Sequence, residues 1–165
     1  MSAGGIFRPG MRGYFVPLGA GVALTISAFL PWVVVDGVGR NGVPEVPGLW
    51  IAGLGALAAV LATLSLITRK NSRHPLLVVG LIALGILLLT RRFMPQMAGE
   101  QALTISQALA IVENVPVGRT PTALVGSGIY VGLVAAAVLV GFGLTIVVKR
   151  ASQPWVPVDP DDDVP

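Results

Sequence analysis

Gly13–Val35, GYFVPLGAGVALTISAFLPWVVV, runs without a single acidic or basic side chain. A helix needs about 20 apolar residues to cross a hydrocarbon core ~30 Å thick, so this stretch alone predicts a membrane span. Three more uncharged stretches follow, at Gly48–Thr68, Pro75–Thr90 and Leu124–Val148. The fold class they predict is all-α: a polytopic membrane protein built as an antiparallel four-transmembrane-helix bundle. It fills residues 1–150, with spans at about 13–35, 48–68, 75–90 and 124–148 and an outer loop at 91–123. The third span is short, about 24 Å at 1.5 Å per residue. Arg73, Arg91 and Arg92 snorkel away from it while the bilayer thins around it. A re-entrant segment is the alternative.

Composition agrees. Hydrophobic residues make up 54% of the chain and charged residues 12%, about half the charge of a soluble domain. Mean hydropathy is +0.82. With no cysteine, disulfides, thiolate metal sites and cysteine nucleophiles are excluded. The net charge of +3 sits beside the apolar stretches, where it reads as a topology signal and not as a nucleic-acid footprint. The basic lead before residue 13 resembles a secretory signal, but the apolar run is long for one and no small-residue cleavage site closes it. The run therefore reads as an uncleaved first helix.

Lys and Arg placement orients the bundle. Arg8, Arg12, Arg69, Lys70, Arg73, Lys149 and Arg150 fall on one side, against Arg40, Arg91, Arg92 and Arg119 on the other. The excess predicts both termini in the cytoplasm. Trp32 and Trp50 then mark the outer ends of the first two spans, with Tyr14 at the opposite end of the first. All three read as membrane-interface residues, ring half buried and polar tip wet.

The loops carry less. Residues 36–47, DGVGRNGVPEVP, form a Gly- and Pro-rich turn, and 69–74 is a tight basic one. Within 91–123, Ala102, Ile105, Leu109 and Val112 recur at helical spacing. They predict a short amphipathic helix lying on the outer surface or over the bundle. Residues 151–165, with four prolines and Asp161–Asp163, read as a disordered acidic tail.

Chemistry is sparse. Pumps and proton-coupled transporters place ionisable groups inside the bundle despite the cost, and these spans hold only hydroxyls: Thr25, Ser27, Thr63, Ser65, Ser127 and Thr145. His74 is the only histidine. At the mouth of the third span it is a candidate ligand for haem or a pigment, the plainer reading being a solvated interfacial side chain. Asp36, Glu45, Glu100 and Glu113 show no spacing that pairs them as acid and base. No catalytic residues and no metal site are assigned, and the expectation is a protein that is not an enzyme. Gly128, Gly132 and Ala136 form a small-residue stripe, as do Gly48–Ala52 and Gly55–Ala59. Such stripes let helix backbones approach closely in lipid, within the bundle or against a partner.

Phe29-Leu30-Pro31-Trp32-Val33 closes the first span and Pro47-Gly48-Leu49-Trp50 opens the second. This pattern resembles small four-helix bacterial membrane proteins, mainly actinobacterial, such as the tryptophan-operon-associated membrane protein family. The resemblance covers about residues 14–92. It implies a multi-pass protein of the bacterial inner membrane and assigns no catalytic residue.

The expectation is therefore a non-catalytic accessory subunit of a larger membrane complex, of a respiratory or photosynthetic kind. Its partners would be membrane lipids and other integral subunits, and no nucleic acid. It would need no cofactor of its own, beyond bound lipid or a neighbouring subunit's pigment. The alternative is a binder or carrier of a lipid or other apolar small molecule.

Overall fold

A computed structural model describes residues 12–68, 73–114 and 121–151. The acidic tail lies outside them. After a 3-10 turn at Arg12–Tyr14, helix α1 covers only Phe15–Ser27. Its end tightens through Ala28 N–H to Thr25 O, Phe29 N–H to Ile26 O and Leu30 N–H to Ser27 O, bonds that satisfy carbonyls the helix would otherwise orphan. Pro31, with no N–H to give, then stops it. The remaining apolar residues, Pro31–Val35, form strand β1 and not helix. The single span expected over 13–35 is thus corrected to a short helix plus a strand. Three consecutive valines suit a pleated surface, and both edges of this strand are paired.

One edge meets strand β2, Val38–Asn41. The connection is Asp36-Gly37, with φ of +48° and +83°, the two-residue turn whose twist matches a hairpin. The other edge meets strand β3, Ala123–Val125, giving an antiparallel sheet ordered β2-β1-β3. β1 pairs Pro31 with Asn41 and then Val33 with Arg40, leaving Trp32 as the extra residue of a bulge. The bulge breaks the alternation of faces, so adjacent Trp32 and Val33 are both fully buried. The all-α expectation therefore fails at this end of the molecule.

Helix α2 spans Val46–Thr68 and α3 spans Arg73–Glu113. The short third span and the separate outer amphipathic helix are one 41-residue helix, about 61 Å long at 1.5 Å per residue. It continues through Arg91, Arg92 and Pro95. Pro95 withdraws one N–H from the ladder without ending the helix. Helix α4 spans Ser127–Ala151, starting after β3 and not at residue 124. Of the four helices among the described residues, α2, α3 and α4 are long and apolar enough to cross a membrane, and α1 is shorter.

Packing runs antiparallel throughout. Gly21 lies against Ala59 and Gly55 against Thr25 where α1 crosses α2; Gly143 lies against Leu77 and Gly132 against Leu87 where α4 crosses α3. Leu24, Ile51, Leu76, Leu87, Ile129 and Leu139 fill the interior. No more than 39% of any of the three stretches long and apolar enough to span is buried within the chain, so most of their apolar surface faces outward.

Candidate functional site

The sheet, the start of α2 and the middle of α3 border a half-open cavity of about 430 Å³, within the ~300–1,000 Å³ range of small-molecule sites. Its walls are chiefly apolar. Leu89, Phe93, Met94, Met97 and Ala98 come from α3, Val33 from β1 and Pro47 from α2. Methionines are flexible gap-fillers that adapt to irregular apolar shapes. At Met97 and Gln101 the cavity meets a groove along α3 that reaches Thr104 and Ile105.

Three elements bring polar groups to this apolar space. Val33 and Arg40 are cross-strand partners and share one face of the sheet. The burial of Val33 against α3 therefore carries Arg40 to the cavity rim. Glu45 precedes α2, and its carbonyl accepts Leu49 N–H at 3.1 Å; this N-cap position puts its carboxylate where a helix dipole favours negative charge. Thr90 is only 8% exposed, and its Oγ1 donates to Ile86 O at 2.8 Å. Arg40 and Glu45 face one cavity and form neither an ion pair nor a side-chain hydrogen bond among the described residues.

Two other charges near this end are committed elsewhere. The Arg91 guanidinium lies 5.5 Å from the Tyr130 ring centroid, a cation–π distance. Asp36 Oδ1 accepts Thr122 N–H at 3.1 Å, and Asp36 N–H donates to Thr122 O at 3.2 Å. The hairpin turn is thereby tied to the approach to β3.

The residues singled out from sequence land as follows. Trp32 is not a half-wet interface ring. It is fully buried, and its Nε1–H donates to Ser27 O at 2.8 Å. Tyr14 is buried too, edge-on to Phe142 at 5.2 Å. Trp50 is 63% exposed beside Leu49 and Leu57 on the outer face of α2. A Cβ on Gly128 would lie 2.6 Å from Trp32 Cδ1, and one on Gly132 3.0 Å from Ser27 Oγ. Ala136 is buried in the same seam. Gly48 backs onto Gly42, and Gly55 and Ala59 onto α1, while Ala52 packs partly buried on the core. Both stripes are thus largely consumed inside the chain. His74 is exposed in the first turn of α3 and lines none of this cavity. Glu100 lies on the adjoining groove, and Glu113 is exposed at the end of α3.

Sequence reasoning missed the cavity wall. Leu89, Phe93, Met97 and Gln101 recur every four residues, a helical face running straight through Arg91–Arg92. It missed the hairpin as well, although Asp36-Gly37 between valines is a strong short-range hairpin signal. Comparison with protein-family models, curated proteins and solved structures gives no match.

Proposed function

We propose that this chain is a multi-pass membrane protein that holds an amphiphile, a lipid or lipid-like molecule, in the cavity between the sheet and α3. The observation that carries this is one space walled by Leu89, Phe93, Met94 and Met97 with Arg40 and Glu45 at its rim. Apolar walls suit a chain and polar rim groups suit a head. Lipid is the ligand always at hand in a bilayer.

In this reading all four helices cross the membrane. α1 measures about 20 Å at 1.5 Å per residue. It runs antiparallel to both α2 and α4, and local thinning of the bilayer accommodates its length. The sheet faces outward and both termini lie in the cytoplasm, as the Lys and Arg excess favours. The bacterial inner membrane follows from the sequence resemblance.

The test fills the cavity. Ala98, nearly buried in its wall, is replaced by phenylalanine and co-purifying lipid is counted by native mass spectrometry. The wild-type chain retains a stoichiometric amphiphile and Ala98→Phe loses it with the fold intact. Equal lipid on both proteins overturns the proposal.

A second reading, an accessory subunit of a larger membrane complex, is favoured by the far end of α3. There Ile105, Leu109, Ile111 and Val112 are all exposed, an apolar surface suited to a partner. Purification from native membranes in mild detergent tests it. A chain recovered alone argues against it.

A further inference from the structure

We propose that the head group of the bound amphiphile is zwitterionic, an anionic phosphate joined to an ammonium; this deepens the amphiphile reading and rests on it. An acyl chain moving from bilayer to protein leaves one apolar medium for another, so the hydrophobic effect supplies little net drive. Discrimination falls to the polar rim, and the rim carries one charge of each sign. Arg40 presents a planar fork of donors that matches phosphate oxygens. Glu45 presents a carboxylate that accepts from an ammonium. Both line the cavity on exposed residues, and neither bonds the other or any described neighbour.

Each simpler head leaves something unmet. A purely anionic head pairs with Arg40 but repels Glu45, a purely cationic one does the reverse, and a neutral one draws on neither charge. A phosphate–ammonium head answers both. Thr90 adds a third contact, because its buried hydroxyl donates to Ile86 O and accepts from nothing among the described residues. A lipid N–H or glycerol hydroxyl can donate there. Arg91 and Asp36 do not compete, since one lies over Tyr130 and the other is bound to Thr122.

The full-length chain in detergent is titrated with three single-chain lipids of equal acyl length, followed by native mass spectrometry. They are lysophosphatidylethanolamine, with phosphate and ammonium, lysophosphatidylglycerol, with phosphate only, and a neutral monoacylglycerol. The wild type binds the ethanolamine lipid tightest. Arg40→Gln weakens both phosphate lipids about fivefold, the worth of one exposed ion pair. Glu45→Gln weakens the ethanolamine lipid by a similar factor and leaves the glycerol lipid unchanged or tighter. Equal binding of all three, a preference for either other lipid, or indifference to both substitutions overturns the zwitterionic assignment. If Ala98→Phe still abolishes binding in that case, the amphiphile reading survives. If no lipid binds saturably to the wild type, that reading falls with it.

Discussion

Replacing Trp32 tests whether the indole holds the sheet on the bundle or merely marks a membrane boundary. The ring is fully buried at the bulge of β1. Gly42 and Gly128 lie so close to it that a Cβ on either would collide with the ring. Trp32→Ala empties that slot, and large-to-small changes of aromatic core residues cost about 3–5 kcal/mol. Two considerations favour the lower end. The unfolded reference still lies in lipid, so the transfer part shrinks while lost packing contacts remain. The Ser27 carbonyl is not orphaned either, because Leu30 N–H still reaches it at 3.3 Å; the indole bond alone is worth about 1 kcal/mol. We expect a loss of about 3 kcal/mol for Trp32→Ala, measured by reversible SDS unfolding in mixed micelles. For Trp50→Ala on the exposed face of α2 we expect less than about 0.5 kcal/mol. Gly128→Ala places a methyl 2.6 Å from Trp32 Cδ1 and costs about 1–3 kcal/mol. In the Trp32→Ala background part of that cost vanishes, leaving a coupling of at least about 0.5 kcal/mol. Equal small losses for the Trp32 and Trp50 variants, with no coupling to residue 128, would refute the buried-keystone argument.

Gly55→Leu forces α1 off α2, because even the first carbon of the new side chain would sit 2.6 Å from Thr25 N; a loss of more than about 3 kcal/mol in the same assay is expected, against a small effect for Gly53→Leu, which has open space. Asp36→Val removes the acceptor for Thr122 N–H and puts a β-branched residue at φ +48°, costing about 2 kcal/mol; faster amide exchange across β1–β3 is the readout, and unchanged exchange counts against the tie. Arg91→Ala removes the contact over Tyr130, and a thermal-stability loss equivalent to about 0.5–1 kcal/mol is expected if that ring seats the guanidinium.

The cavity was only half legible. Its α3 wall repeats every four residues and needed no structure to be seen, but the break expected at Arg91–Arg92 hid it. Those residues mark where the uncharged run ends. They say nothing of where the backbone stops being helical, and α3 continues because its ladder closes on itself through the change in polarity. The rim was not legible at all. Arg40 reaches it through its pairing with Val33 and Glu45 through the start of α2, and neither relation is encoded in spacing along the chain.

From the residues alone came a mostly helical chain with stretches apolar enough to cross a membrane, and the approximate places of α2 and α4. Hydropathy and side-chain size are local quantities, and lipid responds to them segment by segment. Tertiary structure alone decided that Pro31–Val35 is a strand and that Trp32 is interior. A strand exists only where its neighbours accept its hydrogen bonds. Here those neighbours are β2, a tight turn away, and β3, reached only after α2 and α3 have brought the chain back to the same end of the molecule.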